Sequence, residues 1–376
     1  QILGDAEPID IIEEMAASYS RHNPLEAQEL EVLVDLVAGR LVQSLIIGDW
    51  RASIHTDNTE YILDYSESTW RALQRLSESD PDDSIARLTQ RSRTRTMPKE
   101  DLIEQRRQRF GPGLKLSYDE PVHLARAEGV WMYEANGERY LDAYNNVPHV
   151  GHSHPTVAAA IARQVGILNT NTRYLVDDIV QYADRLSGMF PEGLDVVLFT
   201  NSGSEANDLA WRIARTVTDR EGIVVTEHAY HGSTDLTMAT SPEEIGSAGL
   251  RPWVGTVPAP DTRTGHGAET GESYAATLDT AFVALNERGH RPAAFACDTI
   301  FSSDGIFDAP DEYFRRAAAR TRAAGGLFIA DEVQAGFGRV GERMWGFAGQ
   351  GVTPDIVTLG KPMGNGHPVA AVVTTT

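Results

Sequence analysis

Apolar side chains near the start of the chain recur every three or four positions, with polar residues between them. The first set consists of Ile11, Ile12, Met15 and Tyr19, and the second runs through Leu30, Leu33, Val34, Val37, Leu41 and Leu45. This spacing is typical of amphipathic helices. Asn23-Pro24 stands between the two sets and predicts a break between two helices. Residues 1–90 are therefore expected to form a helical segment.

After residue 110 the pattern changes to short β-type runs separated by longer segments. The runs are Val196–Thr200, Ile223–Thr226, Ala293–Cys297, Leu327–Ala330 and Asp355–Leu359. Helical spacing is clearest at Leu209, Ile213 and Val217 and in the alanine-rich stretch Phe314–Arg322. Strands that alternate with helices predict an α/β fold, in which a mostly parallel sheet is flanked by helices. Ligands of such sheets bind beyond the carboxyl ends of the strands.

Charge and length divide the chain into three parts. Residues 1–90 and 111–376 are acidic, whereas residues 91–110 are basic and contain Pro98. The 376 residues exceed the roughly 250–300 at which a single core stops growing, so we expect two folding units. We therefore predict a helical segment at 1–90, a linker at 91–110 and a second domain at 111–376.

The composition argues against several classes of protein. The chain has 33 Lys+Arg and 54 Asp+Glu, a formal net charge of −21, which disfavours nucleic-acid binding. Cys297 is the single cysteine, so neither a disulfide framework nor a multi-thiolate metal site is expected. No apolar run approaches the roughly 20 residues of a membrane span, and the start of the chain lacks a signal-peptide pattern. We expect a cytoplasmic protein with no membrane partner.

Lysine is scarce, and its positions are Lys99, Lys115 and Lys361. Any chemistry that needs an amine therefore has three candidates. Lys361 follows a buried-type strand and enters the glycine-rich turn 360–366. Unlike arginine, lysine can lose its proton when it is desolvated and then attack a carbonyl carbon. Lys361 is the candidate nucleophile, and a solvated loop lysine is the alternative interpretation.

The loop after the strand Val196–Thr200 consists of small and polar residues that run into a predicted helix. It contains Ser202, Gly203 and Ser204 within the segment 201–207. Small residues let the backbone approach a ligand closely, and free amides at a helix N-terminus bind anions. The loop can therefore hold a phosphate group, although Ser and Asn also cap helices routinely.

Two further strand ends carry candidate chemistry. Asp331 follows Leu327–Ala330, where a carboxylate costs desolvation energy unless it has a cationic partner; a helix cap or a surface acid is the alternative. Tyr230 and His231 follow Ile223–Thr226, and an aromatic ring beside a histidine could stack on a flat heterocycle. Tyr and His are also common as partly buried packing residues.

Two other patterns resemble known sites without their full context. Gly336, Gly338 and Gly341 have the G-x-G-x-x-G spacing of a dinucleotide site, but neither the following helix nor the later acidic residue is convincing, so we predict a turn. His149, His152 and His154 have metal-like spacing, but no local carboxylate or thiol completes a ligand set. No metal is therefore expected.

The remaining candidates combine into one kind of site. A phosphate-binding loop, an acid at a strand end, a stacking aromatic ring and a lysine amine are what a pyridoxal phosphate site requires. The amine forms a Schiff base with the cofactor aldehyde. The acid keeps the ring nitrogen protonated, so that the ring can absorb the electrons of a substrate carbanion. The sequence therefore predicts pyridoxal phosphate as cofactor.

Several motifs that occur in order resemble the class III pyridoxal phosphate-dependent aminotransferases of fold type I. They are residues 145–155, 168–175, 201–207, 230–232, 331–338 and 361–368. Within that family they look closest to the branch of ethanolamine-phosphate phospho-lyase and alanine–glyoxylate aminotransferase-like proteins. The resemblance begins at about Pro98 and runs to the last residue.

The resemblance implies a role for each candidate residue. Lys361 would be the Schiff-base lysine and the acid/base, and Asp331 would pair with the pyridine nitrogen. Gln334 would contact the phenolic oxygen of the cofactor. Ring and phosphate contacts would come from Val333, Tyr230, His231, Ser202, Gly203 and Ser204.

The implied function is transfer of an amino group from an amine or amino acid to a keto acid. The same carbanion could instead expel a β-phosphate, so a phospho-lyase acting on a phosphorylated amino alcohol such as ethanolamine phosphate remains an alternative. A nicotinamide-dependent oxidoreductase that uses Gly336–Gly341 is a rival from a different class. Because the family builds its sites across a dimer interface, we also expect a homodimer.

Two features depart from the family pattern. Asp298, in the strand–loop 297–305, stands where many relatives have glutamate. Relatives also continue well past the lysine into a C-terminal small domain, so we expect the chain to be truncated there and at its start. Residues 1–90 weakly resemble the C-terminal helices of an aminoglycoside phosphotransferase-like domain, without its catalytic loop. They would be a remnant of a kinase-like domain or a simple helical extension.

Overall fold

The computed structural model describes residues 7–20, 25–92, 97–111, 113–114, 116–261, 263 and 271–376. They form two compact units. One comprises the described residues up to Ala127 together with Trp131–Leu141, and the other comprises Glu128–Val130 and Asp142–Thr376. The expected break at Asn23-Pro24 and the side chain of Lys115 lie outside the described residues.

The first unit is mostly helical, and its apolar positions form a small core. Its helices are α1 (Pro8–Ser20), α2 (Ala27–Ile54), α3 (Thr59–Leu63), α4 (Ser66–Glu78), α5 (Pro81–Ser92) and α6 (Lys99–Phe110). Ile12, Leu30 and Leu88 are buried together. The apolar periodicity agrees only in part with the buried face of α1, because Met15 and Tyr19 are exposed. The predicted helices are confirmed. Strands β1 (Leu124–Glu128), β2 (Trp131–Glu134) and β3 (Arg139–Leu141) make a three-stranded sheet.

Part of the expected linker is helical, because α6 occupies residues 99–110 of the segment 91–110. The boundaries of the compact units also differ from the predicted ones. The division at residues 90 and 110 therefore stays a prediction.

The second unit contains a seven-stranded sheet in the order β4-β10-β9-β8-β7-β5-β6. The strands are β4 (Val196–Thr200), β5 (Gly222–Thr226), β6 (Val254–Val257), β7 (Pro292–Asp298), β8 (Leu327–Asp331), β9 (Ile356–Leu359) and β10 (Ala370–Thr374). The five predicted strands are confirmed, and β6 and β10 are additional. The helices are α7 (Pro155–Val165), α8 (Asp177–Ser187), α9 (Gly203–Thr218), α10 (Asp235–Met238), α11 (Pro242–Ile245), α12 (Gly271–Glu287) and α13 (Tyr313–Ala323).

Alternate residues of each central strand point to opposite faces of the sheet, and each face is covered by helices. On β7, Phe295 packs with Leu278 of α12 and Phe314 of α13. Its neighbours Ala294 and Ala296 belong to the core that includes Trp211 of α9. The predicted mostly parallel, helix-flanked sheet is confirmed.

The direction of the strands decides where a site can form. Strand β10 runs antiparallel to both neighbours, β4 and β9. The pairs β5–β6, β5–β7, β7–β8 and β8–β9 are all parallel. The six strands other than β10 therefore run in one direction, and their carboxyl ends share one edge of the sheet.

Candidate active site

Asp331 is the last residue of β8, and its carboxylate is buried, with 3% of the residue exposed. Oδ2 accepts hydrogen bonds from His231 Nδ1 at 2.7 Å and from Asn207 Nδ2 at 2.8 Å. Oδ1 accepts from the Val333 amide at 3.0 Å and from the Thr358 hydroxyl at 3.3 Å. These four donors satisfy a charge that would otherwise be costly to bury.

The environment keeps Asp331 ionised. Burial raises the pKa of Asp331, but the hydrogen bond and charge of His231, together with the donors Val333 and Asn207, hold that pKa below its ordinary value. The site therefore contains a permanent negative charge at the end of a buried strand. Such a charge matches a cationic ring nitrogen.

Lys361 follows β9 and opens a short 3-10 turn, Lys361–Gly364. Its backbone φ is +21°, an unusual value for a residue with a side chain, and strained backbone of this kind gathers at functional sites. Burial lowers the pKa of the Lys361 ammonium, and Arg339 lowers it further, whereas the charges of Asp331 and Asp298 raise it. The net result is a pKa below the ordinary value, which increases the fraction of free amine.

The loop from Ser202 to Ser204 lies against the strand ends that carry Asp331 and Lys361. A Cβ added at Gly203 would come within 2.7 Å of Val333 Cγ1, and one at Gly360 would come within 3.2 Å of Gly203 Cα. Only glycine allows the three chain segments to approach this closely. The loop predicted to hold a phosphate therefore lies beside Val333 and next to the lysine turn.

The same loop also caps helix α9, as the alternative interpretation proposed. Ser202 Oγ accepts a hydrogen bond from the Glu205 amide at 3.2 Å. Ser204 Oγ accepts from the Ser233 amide at 3.1 Å. Each hydroxyl keeps its own proton to donate, so capping and anion binding are compatible. The 16-residue helix α9 adds the positive end of its dipole at this point.

Tyr230 and His231 follow β5 and differ in exposure. Tyr230 is 37% exposed, whereas His231 is 2% exposed and lies behind the Asp331 carboxylate. The ring of His231 also meets Trp211 edge-on, with 5.3 Å between the ring centroids. The Tyr230 ring is therefore accessible to a ligand, whereas the His231 ring contacts the Asp331 carboxylate.

A second carboxylate holds the start of the Tyr230 loop. Asp304 accepts a hydrogen bond from the Thr226 hydroxyl at 2.8 Å and another from the His228 amide at 3.1 Å. Thr226 is the last residue of β5, and His228 lies two residues before Tyr230. Asp304 therefore connects the loop after β7 to the loop after β5.

Gln334 lies three residues after Asp331, and its side chain meets the loop 145–151. The Gln334 Oε1 atom accepts a hydrogen bond from Asn146 Nδ2. Arg339, from the same turn as Gln334, donates to the Asn146 carbonyl oxygen at 2.7 Å. The turn after β8 is thus joined to the loop after residue 142.

The two remaining sequence patterns are the glycines after Gln334 and the histidines at 149, 152 and 154. Residues 333–340 are turns, so the turn predicted for Gly336, Gly338 and Gly341 is confirmed and no helix opens there. His152 Nε2 lies 2.6 Å from Asp142 Oδ2. His149 contacts the Phe337 carbonyl oxygen. Across the described residues, no group of three or more His, Cys, Asp or Glu side chains could hold a metal ion.

Four residues of the site were given no individual role by the sequence, although Asn146, Asn207 and Asp304 lie in the segments 145–155, 201–207 and 297–305. They are Asn207, Thr358, Asp304 and Asn146. Asn207 could have been found from the sequence in one way. It is a polar residue on the face of α9 that otherwise presents Ala206, Ala210 and Trp211 to the core. The others act through long-range contacts, which spacing along the chain does not reveal.

Asp298, at the end of β7, is directly in register with Asp331. Its carboxylate accepts hydrogen bonds from the amides of Ile300 and Ser302, both at 3.0 Å, and from the Ser302 hydroxyl. Burial and the neighbouring charge of Asp331 raise the pKa of Asp298. The Asp298 carboxylate thus shapes its own loop.

The described residues fit pyridoxal phosphate. The glycine-lined approach at Gly203 suits a phosphate, and the buried Asp331 charge suits a protonated ring nitrogen. Lys361 supplies a partly desolvated amine on the adjacent strand end. All three features lie at one edge of the sheet, where ligands of such folds bind.

Comparison with known proteins agrees with this geometry. The family profile described as aminotransferase class-III matches residues 116–376. Alanine–glyoxylate aminotransferase 2-like of Drosophila melanogaster is 43% identical over 290 residues, which are 74% of this chain and 59% of that protein. Ethanolamine-phosphate phospho-lyase homolog 1 of Caenorhabditis elegans is 38% identical over 295 residues, which are 73% of this chain and 63% of that protein.

Among solved structures, a phospholyase from Arthrobacter in complex with phosphoethanolamine is similar, with a TM-score of 0.70 and 43% sequence identity. The match covers 73% of this chain and 66% of that one. The fold is therefore that of the fold type I pyridoxal phosphate enzymes. Within that class, the chain belongs to the class III aminotransferase family.

The chain spans 59% and 63% of the length of the two curated relatives above. In the part that the structure describes, no helix combines the length and the apolar character needed to cross a membrane.

Proposed function

We propose that the protein is a pyridoxal phosphate-dependent aminotransferase that moves an amino group from an amine or amino acid to a keto acid. The observation that carries the proposal is the juxtaposition of Asp331 and Lys361 on adjacent parallel strands. Asp331 is in register with Thr358, which lies three residues before Lys361. A buried anion and a desolvated amine are thereby held at one edge of the sheet, beside the Gly203 loop.

Pyridoxal phosphate, when bound, supplies an aldehyde that condenses with amines and a ring that absorbs electrons from the substrate carbon. Asp331 would face the ring nitrogen and keep it protonated. Ser202, Gly203 and Ser204 would hold the phosphate, and Val333 and Tyr230 would cover the two faces of the ring. The Gln334 amide would donate to the phenolic oxygen.

Lys361 would carry the proton that moves during the reaction. Its lowered pKa increases the fraction of free amine, and a free amine can take a proton from the substrate carbon and return it elsewhere. Asp331 would act through the ring: its carboxylate, oriented by four donors, would keep the ring nitrogen protonated, and a protonated ring accepts the electrons of the substrate carbon.

A phospho-lyase is the second candidate, favoured by the likeness to the Arthrobacter phospholyase in complex with phosphoethanolamine. Lys361 would again remove a proton from the substrate carbon, and loss of a β-phosphate from the substrate would follow. The two candidates share every residue named above and differ only in the fate of the substrate.

The Lys361→Ala variant of the full-length protein tests the shared chemistry. We expect it to lose the visible absorption of the bound cofactor and to lower turnover by about 10²–10⁴-fold. Lys99→Ala, at the start of α6, is the matched control and should behave like the wild type. Unchanged absorption and turnover in Lys361→Ala would make the proposal wrong.

A substrate assay separates the two candidates. The wild-type protein is incubated with ethanolamine phosphate in the absence of any keto acid, and inorganic phosphate is measured. The aminotransferase proposal predicts no catalytic phosphate release under these conditions. Sustained release would replace it with the phospho-lyase.

We also propose that the protein is a cytoplasmic homodimer. Large apolar side chains in the segment 144–175 are exposed, among them Tyr144, Val150, Ile167 and Leu175. Apolar surface of this kind is typical of an interface. Size-exclusion chromatography with light scattering tests the dimer, and an active monomer would contradict it. Residues 1–90 remain proposed as a helical extension or a kinase-like remnant.

A further inference from the structure

The Gln334 side chain is oriented by a residue that lies 188 positions earlier in the sequence. We propose that Asn146 is a positioning residue, which fixes the Gln334 amide so that its Nε2 end is the one presented to the phenolic oxygen of the cofactor. This inference rests on the proposed function, because it concerns the contact that Gln334 would make with pyridoxal phosphate.

The chemistry of the two side-chain amides determines which end of the Gln334 amide faces the cofactor. A carboxamide has one accepting end, the oxygen, and one donating end, the NH₂ group. Asn146 Nδ2 donates to Gln334 Oε1, which occupies the accepting end of Gln334. Nε2 is then the end left to a ligand, and it can only donate. A phenolic oxygen that carries negative charge requires such a donor.

Asn146 is itself held in place by the turn that carries Gln334. Arg339 donates to the Asn146 carbonyl oxygen at 2.7 Å and reaches His149 Nδ1 at 3.1 Å. His149 Nε2 lies 2.7 Å from the Phe337 carbonyl oxygen. A carbonyl oxygen only accepts, so Nε2 of His149 carries the hydrogen and Nδ1 accepts from Arg339. The loop is therefore bound to the turn at several points.

The loop is also tied to the turn that begins at Lys361. Asn365 Oδ1 accepts from the Val150 amide at 2.9 Å, and Asn365 Nδ2 donates to the Gly151 carbonyl oxygen at 2.9 Å. Asn365 lies directly after the short turn opened by Lys361. The loop 146–151 thus connects the Gln334 turn to the Lys361 turn. A brace of this kind limits the motion of the Asn146 amide, which is what orienting Gln334 requires.

The key variant is Asn146→Asp, which keeps the shape of the side chain but replaces the donor with an acceptor. The Gln334 amide then has to turn round to donate Nε2 to residue 146, which points Oε1 at the phenolic oxygen. We expect the pH midpoint of the visible absorption of the bound cofactor to shift by about one unit. The cofactor dissociation constant should rise about tenfold.

Asn146→Ala is the second variant, and it decides the result if Asn146→Asp does not fold. It removes the orienting donor without imposing the reversed orientation of Gln334. The pH midpoint and the cofactor dissociation constant should therefore change in the same direction as in Asn146→Asp, but by less. Asn286→Asp, an exposed site near the end of α12, adds the same charge elsewhere in the second unit and should leave the midpoint unchanged.

A double-mutant cycle distinguishes positioning from a purely structural role. If Asn146 acts through Gln334, Asn146→Ala should change the cofactor dissociation constant by less than about twofold in a Gln334→Ala background. An undiminished effect in that background would overturn the inference, as would wild-type titration in both Asn146 variants. If the wild-type protein itself holds no cofactor, the proposed function fails instead.

Discussion

His231 Nδ1 lies 2.7 Å from Asp331 Oδ2, and both side chains are buried within the protein. The histidine comes from the loop after β5 and the aspartate from the end of β8, so the contact joins two loops of the candidate site. The backbone carbonyl of His231 also accepts from Asn207 at 2.9 Å, and Asn207 in turn donates to Asp331. Asp331, His231 and Asn207 are thus joined in a closed set of contacts.

Replacing His231 with phenylalanine should weaken the fold and alter the acid. The variant keeps an aromatic ring against Trp211 but removes a donor to a buried carboxylate. We expect the free energy of unfolding at pH 7 to fall by about 2 kcal/mol. The pKa of Asp331 should rise, because the hydrogen bond and charge of His231 are the largest effects that lower it.

The sign of the pH effect follows from that shift. A lowered pKa of Asp331 contributes stability that is present above its ordinary pKa and is lost as the pH falls through the folded value. His231→Phe should reduce this contribution, so acid unfolding begins at a higher pH. His228→Phe, at the exposed histidine of the same loop, is the control. Identical acid unfolding of the two variants would argue against the role of His231.

Adding a methyl group at Gly203 should disturb the predicted phosphate loop. The Cβ of Gly203→Ala would lie 2.7 Å from Val333 Cγ1, so the loop or Val333 has to move. We expect a loss of about 1–3 kcal/mol of stability and weaker cofactor binding. Urea denaturation and a cofactor titration measure the two effects.

Gly39→Ala serves as the comparison for this change. Nothing lies within 4 Å of a Cβ at Gly39, which is inside helix α2. There the same substitution should raise stability by about 0.5–1 kcal/mol, because alanine favours the helix. If both variants have the same effect, the tight packing at Gly203 has no energetic importance.

Removing the Asp304 carboxylate should loosen the loop that carries Tyr230. In Asp304→Ala, the Thr226 hydroxyl and the His228 amide both lose their acceptor. Each lost hydrogen bond costs about 1 kcal/mol, and the cofactor dissociation constant should rise several-fold. Asp304→Asn keeps an oxygen for the amide and a polar group for the hydroxyl, so it should restore most of the binding. Equal binding by the alanine variant and the wild type would contradict this prediction.

Glu332 should make the stability of the protein depend on pH. Burial raises the pKa of Glu332 to about 7, even though its carboxylate accepts from the Gly346 amide, the Phe347 amide and the Thr299 hydroxyl. Because the folded pKa lies above the ordinary value, the folded state binds this proton more tightly. The contribution to stability is therefore largest at low pH and is lost as the pH rises through about 7.

The Glu332→Gln variant isolates that contribution. Between about pH 5 and pH 8, the free energy of unfolding of the wild type should fall relative to the variant by about 3 kcal/mol. Glu342→Gln, at an exposed position nearby in sequence, should follow the wild type throughout. Parallel pH profiles for wild type and Glu332→Gln would show that Glu332 does not titrate in this range.

Much of the fold could be predicted from local pattern. The five β-type runs each match a strand to within one residue, and the apolar spacing in residues 11–45 identifies α1 and α2 but not their ends. Strand β10 was not predicted. It reads Ala370–Thr374 and lies antiparallel between β4 and β9, and neither its pairing nor its direction is encoded in spacing along the chain.

The sequence by itself determined which residue types the site contains: one lysine after a strand, one aspartate after another, and a loop of small residues at a helix start. Only the tertiary structure decided which groups surround them. His231 was predicted to bind the cofactor. In the fold its ring contacts the carboxylate of Asp331, which lies 100 positions later in the sequence. Asn146 contacts Gln334 across 188 positions, and Asp304 contacts Thr226 across 78 positions. Hydrogen bonds between distant segments depend on strand order and loop path, which are settled only when the sheet and its helices pack together.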